Sequence, residues 1–172
     1  MKSFVLGMVA TLIGLAAGAW IYFGTGMAPV ATSAPPMPME TTFAKMALHA
    51  RIEREMPKAV PLAADENAYL AGVPIYREDC AVCHGLPQQD KTAVADGMFP
   101  RPPQLFFRKG VSDDPPGETY WKVTNGIRLT GMPAFQNTLS DTARWQVSLL
   151  LANSNHLPAA VTSLLAAPLP KN

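Results

Sequence analysis

The first long pattern along the chain is unbroken apolarity. Residues 4–24, FVLGMVATLIGLAAGAWIYFG, carry no charge, and Lys2 is the only charged side chain before Glu40. Such a run makes roughly 30 Å of helix, enough to cross a bilayer, and is longer than the ~7–15-residue core of a signal peptide. Trp20, Tyr22 and Phe23 close the run where interfacial aromatics belong, and Lys2 on the near side argues for a cytoplasmic N-terminus. The pattern predicts a single N-terminal transmembrane helix in residues 1–24, retained rather than cleaved. Under the competing reading the segment is a signal, cut in the small-residue stretch Ala28-Pro29-Val30-Ala31. Both readings export everything that follows.

After the apolar run the pattern breaks up. Residues 25–41 are rich in Pro, Ala and Met and read as a linker. Residues 42–56 predict a short helix, with Thr42 as its cap and Phe43, Met46, Ala47 and Ala50 as one apolar stripe; it ends before Pro57. With the loop that follows it makes a connecting segment, 42–64. The main domain is expected at 65–156. Asp65 caps a helix that runs through Tyr69 and Tyr76 to Cys80, with Pro74 as a kink or restart. Residues 86–117 hold many Pro and Gly without a period and read as loop. Residues 118–125 form a short helix closed by Gly126. Ser140 caps a helix of about 13 residues on which Trp145, Ser148, Leu149 and Ala152 share a face. In the tail, 157–172, residues 159–166 suggest one or two more helical turns. No strand pattern appears. The expected fold class is all-α: short helices and long loops, preceded by one transmembrane helix.

Composition sharpens this picture. Only 16% of the 172 residues are charged and 17 are proline, as befits a compact, loop-rich domain with non-globular additions. The net charge of +1 offers no basic field for nucleic acid and no acidic tail. About 100 residues with so little regular structure would struggle to build a core alone, a difficulty that a large buried cofactor resolves.

The only two cysteines, Cys80 and Cys83, stand two residues apart and are followed by His84. A disulfide there would close a very small loop and constrain little of the unfolded chain. A thioredoxin-like pair would want a βαβ setting, and a structural zinc site would want four ligands. Cys-x-x-Cys-His instead matches covalent haem attachment. Two thiols on one turn of helix add across the two haem vinyl groups, and the next residue lies below the iron as its axial ligand.

Downstream of His84 stand Met98, Met132 and His156 as possible second axial ligands. Met132 lies in Leu129-Thr130-Gly131-Met132-Pro133, where Gly131 permits close approach and Pro133 stiffens the loop. It is far enough along the chain to reach the opposite haem face, and is favoured. Met98 is too near His84 in sequence and reads as core or haem-edge packing; His156 reads as solvated.

Residues from about Asp65 to Asn155 resemble a small class I cytochrome c. The matching pieces are Gly72-x3-Tyr76-x3-Cys80-Ala-Val-Cys83-His84-Gly85, Gly131-Met132-Pro133 and Leu139-Ser-Asp-x3-Trp145. The resemblance implies a haem-bearing helix that crosses the C-terminal helix at Gly72, with Tyr76 packed on Trp145. It also implies a proline carbonyl, from Pro102 or Pro103, that accepts the N–H of the proximal imidazole. Arg101, Tyr120, Trp121 and Arg128 are candidates to meet the haem propionates. The stretch from Asp113 to Arg128 resembles single-haem bacterial cytochromes in or beside membrane redox complexes.

The expected function is that of a single-electron carrier. One covalent haem c with His84 and Met132 on its iron would act at the outer, periplasmic face of a bacterial inner membrane. With both axial positions filled, no small-molecule substrate is expected. The partners would be a redox donor and acceptor at the membrane, not nucleic acid. Two alternatives stand beside this: a fixed haem subunit of a larger membrane oxidoreductase, and a haem enzyme or gas sensor with a labile sixth ligand. A cleaved leader would make the protein soluble in the periplasm.

Overall fold

A computed structural model describes residues 1–167, so the last five residues of the expected 157–172 tail lie outside the described residues. The described residues are helical, with no strand among them. The chain divides into two units, Met1–Phe43 and the remainder from Ala44.

In the first unit, α1 spans Lys2–Gly24 and buries none of its residues. It is long and apolar enough to cross a membrane. The Thr25 hydroxyl and N–H both bond the Ile21 carbonyl and close the helix. The helix α2, Glu40–Glu55, begins two residues before the expected Thr42 cap, because the Glu40 carboxylate accepts the N–H of Met37 at 2.7 Å. The expected stripe of Phe43, Met46, Ala47 and Ala50 faces solvent; the one buried side chain of α2 is Ile52.

In the second unit, the end of α2 and the chain beyond it rest on α6, Pro116–Asn125. The Trp121 indole N–H donates to Glu55 at 3.3 Å, and the Pro57 carbonyl sits where a Cβ on Gly117 would stand. The helix α3, Glu66–Ile75, starts at Asp65, whose carboxylate accepts the Ala68 N–H at 2.9 Å. Pro74 cannot donate within it, and the chain continues as a wide π-type turn, Tyr76–Cys80, into the single turn α4, Ala81–His84. The long loop after it contains one helical turn, α5, Ala93–Asp96, capped by Thr92. Ser140 caps α7, Asp141–Ala152, through the Ala143 N–H. The last helix, α8, spans Ala159–Ala166.

The core forms where α3 packs on α7 and α8, and α6 on α7. Val73, Val147, Leu149, Leu150, Val161 and Leu165 are almost wholly removed from water. Each such side chain contributes about 1.5–3 kcal/mol of apolar burial. Because α3 and α6 cover different faces of α7, the whole run Val147–Leu151 is buried rather than a single stripe. Trp145 stacks on Tyr120 of α6, with ring centroids 4.1 Å apart, and the Tyr120 hydroxyl donates to Asp141 at 2.5 Å. Tyr76, which the resemblance paired with Trp145, packs edge-on against Phe106 instead. Its hydroxyl donates to the Gly85 carbonyl at 2.5 Å, which draws the ring toward the loop after His84. Arg77 donates to the carbonyls of Leu164, Leu165 and Ala167 and so holds the C-terminal end of α8.

At the α3–α7 crossing, a Cβ on Gly72 would stand 2.7 Å from the Gln146 carbonyl oxygen and 3.2 Å from the Leu150 Cβ. Gly72→Val must therefore push two backbones apart. We expect it to lower stability by about 1–3 kcal/mol, the usual range for overpacking, in denaturant unfolding.

Candidate functional site

The turn that bears Cys80, Cys83 and His84 is held from three directions. It ends at Gly85 in the left-handed region, φ +72°, where Gln104 occupies the space a side chain would need. On one side the buried Tyr76 hydroxyl bonds the Gly85 carbonyl. On the other, the Thr92 hydroxyl donates to the Val82 carbonyl at 2.6 Å, while the same oxygen accepts the Ala95 N–H. The third hold is His84 itself, whose Nδ1 lies 2.8 Å from the Pro103 carbonyl oxygen. With that acceptor the proton sits on Nδ1 and the lone pair on Nε2. Cys80 and Cys83 are both free thiols.

These residues line one side of a cleft. The loop after α6 lines the same cleft. Gly126, φ +65°, ends that helix where the backbone of Met132–Ala134 crosses within 2.9 Å of its missing Cβ. The Ile127 N–H donates to the Met132 carbonyl at 3.2 Å. The Thr130 hydroxyl donates to the Ile127 carbonyl and accepts the Met132 N–H. Beyond it, the Phe135 N–H returns to the Val123 carbonyl. Met132 thus sits on a short, doubly pinned loop in the same lining as the thiols and His84. Val123, Ile127, Met98, Pro102, Pro103 and Phe135 complete an apolar lining, with Asp79 and Arg101 at its edge.

The structure brings Cys80, Cys83, His84, Met132, Arg101, Pro102 and Pro103 to one cleft. It places four other expected pocket residues outside the lining. Tyr76 is buried beneath the turn. Trp121 is turned to Glu55, and Arg128 is exposed. Tyr120 is engaged by Asp141 and Trp145. Sequence reasoning passed over Thr92 and Thr130. Thr92 was legible as a cap before Ala93–Asp96; the cross-loop bond to Val82 was not, because it joins residues ten apart through irregular chain.

Residues 67–149 match the family described as "Cytochrome C oxidase, cbb3-type, subunit III". This segment is a c-type cytochrome domain. Its fold is that of class I, and its class carries covalently bound haem c and serves electron transport. Among solved structures, the chain is similar to the "Kuenenia stuttgartiensis reducing HAO-like protein complex Kustc0457/Kustc0458", at 28% identity and a TM-score of 0.48. That match covers 59% of this chain and 52% of the other, so the chain spans about half the length of the structure it resembles. No curated protein matches it.

The residues of the cytochrome domain suit the cofactor. Two thiols stand one helical turn apart and are not bonded to each other, and the imidazole beside them has one nitrogen occupied and one left for a metal. The cleft wall is largely apolar, as a porphyrin face requires. Burial pushes the Cys80 thiol up to about 12, helped by the nearby Asp79 and Cys83, so it remains protonated at neutral pH. Burial lowers the His84 pKa, against the pull of the Pro103 carbonyl, and keeps the imidazole neutral, the form that binds metal.

Tyr76→Phe removes a buried donor and leaves the Gly85 carbonyl without it. We expect a stability loss of about 1–3 kcal/mol in denaturant unfolding of the haem-loaded protein, with covalent haem still attached.

Proposed function

We propose that this protein is a single-electron carrier with one covalent haem c, whose iron is held by His84 and Met132. The observation that carries the reading is the cleft itself, whose lining brings together two free thiols, a pre-oriented imidazole and a thioether on a pinned loop. When bound, haem c supplies the one-electron chemistry of its iron. Cys80 and Cys83 would hold it covalently as thioethers, each sulfur on one vinyl carbon with the thiol hydrogen on the other. His84 offers Nε2, with its ring fixed by the Pro103 carbonyl. Met132 would supply the second protein ligand to the iron, and a thioether in that role would favour the reduced state and raise the potential. The apolar lining keeps water from the iron. Arg101, a cation of the cleft lining, would meet a propionate.

Helix α1 anchors the haem domain at the outer, periplasmic face of a bacterial inner membrane, with Lys2 on the cytoplasmic side. Donor and acceptor are redox proteins at that membrane. Setting Lys2 aside, 13 basic side chains face 13 acidic ones, so long-range steering is weak and docking rests on a local patch beside the haem edge. A second reading, a fixed haem subunit of a membrane oxidoreductase, draws on the matched family, which is described as an oxidase subunit. Purification in mild detergent separates the two: stable co-purifying chains support the subunit, and exchange with several carriers by a lone chain supports the free carrier.

The double variant Cys80→Ser, Cys83→Ser is expected to lose all haem in a denaturing gel stained for haem; retained haem refutes covalent attachment at this pair. The oxidised wild type is expected to show the weak far-red band of a sulfur-ligated haem iron, and its reduced form not to bind carbon monoxide. Met132→Ala is expected to lose the band, bind carbon monoxide and shift its midpoint potential downward, within the roughly 0.8 V range that axial ligands command. An unchanged spectrum and potential would remove Met132 from the iron.

A further inference from the structure

Gly131 precedes Met132 and has a backbone that any residue could adopt, since it is not among the positive-φ glycines. Its lack of a side chain therefore needs another reason. A Cβ built there would fall on the terminal methyl of Met98, with the Met98 sulfur 3.4 Å away, and would meet no other atom within 4 Å beyond its chain neighbours. Met98 and Met132 both line the cleft. The bonds that pin the Met132 loop run to Ile127, Thr130 and Val123, all on the α6 side. At Gly131 the loop meets the thioether of Met98.

Met98 is itself anchored on the thiol side of the cleft. Its N–H donates to the carbonyl of Ala95, which is buried in α5. The Thr92 that caps α5 also bonds the Val82 carbonyl, between the two cysteines. A continuous path of contacts therefore runs from the Cys80–His84 turn, through Thr92 and α5, to Met98 and on to Gly131.

We propose that Met98 is a positioning residue for the axial methionine. Its thioether fills the space that Gly131 leaves open and props the Met132 loop toward the cleft, coupling the distal loop to the thiol-bearing turn. The role is one of packing: Met is long, unbranched and deformable, suited to an irregular gap between two loops. The inference rests on the His84–Met132 reading above.

The test is a double-mutant cycle on haem-loaded protein, read by the far-red sulfur-to-iron band and by carbon monoxide binding to the reduced form. Met98→Ala is expected to weaken the band and to speed carbon monoxide binding on the order of tenfold, the factor that ~1.4 kcal/mol represents. Met98→Leu conserves the volume without the sulfur and is expected to behave as wild type. Gly131→Ala is expected to impair both readouts when Met98 is present and to be tolerated in Met98→Ala, since the methyl then enters vacated space.

Strictly additive effects, or a Met98→Ala protein with wild-type band and carbon monoxide behaviour, would overturn the proposal. A Met98→Leu protein as impaired as Met98→Ala would also overturn it, by assigning the role to sulfur rather than to packing. If Met98→Ala does not fold, Gly131→Ala alone decides: a weakened band supports the prop and an unchanged one refutes it. A wild type with no far-red band removes the axial Met132 and this inference together, whereas a band that Met98→Ala leaves untouched removes the inference alone.

Discussion

The backbone approach of α3 to α7 at Gly72 governs where the rest of the cytochrome domain can stand. With no Cβ at that position, the α7 carbonyl of Gln146 lies against α3 itself. Apolar side chains on both helices, Val73 and Leu150 among them, then close over the crossing. The thiol-bearing turn is the direct continuation of α3, so the depth of this crossing also sets the height of Cys80, Cys83 and His84 relative to α6. The loop that carries Met132 grows from the other end of the same packing, because α6 lies on α7. Both sides of the cleft are thus extensions of helices that share α7 as a floor.

What faces the cleft is irregular chain, and irregular chain must be held by particular bonds. On the thiol side these are the Tyr76 hydroxyl, the Thr92 hydroxyl and the Pro103 carbonyl. On the Met132 side they are the Thr130 hydroxyl and the returns to Ile127 and Val123. Most join a side chain to a backbone group. This lets short loops keep a fixed shape without a sheet or a long helix beneath them. Orientation of the imidazole follows from the same economy, since one carbonyl selects its tautomer and its ring plane.

The connecting helix α2 shows how an apolar stripe can mislead. Phe43, Met46, Ala47 and Ala50 repeat at helical spacing, yet they face solvent, and the contact with the domain is made by Ile52, Glu55 and Pro57 at the far end. Periodicity reports which face of a helix is apolar; it does not report which part of the helix meets a partner. Trp121 illustrates the same limit. A large aromatic near the cleft in sequence is claimed instead by a carboxylate from α2, 66 positions earlier in the chain.

Features of short range were determined by the sequence by itself. Asp65 and Ser140 begin helices because their side chains accept an N–H three residues on; Gly126 ends one because its left-handed backbone admits no Cβ cheaply. The uncharged run 4–24 forms one long helix, and Cys-x-x-Cys-His puts two thiols and an imidazole on a single turn. Pairings across the chain were decided only by the tertiary structure. Trp145 could have met Tyr76 or Tyr120; both are aromatic and both are near α7, and the stack on Tyr120 wins because α6 lies along that face while Tyr76 is held by Gly85. Pro102 and Pro103 are equivalent in sequence, and only the path of the loop turns the carbonyl of Pro103 toward His84. That Met98 should reach Gly131 follows from no local rule at all, because contact between two loops depends on where their helical roots are packed.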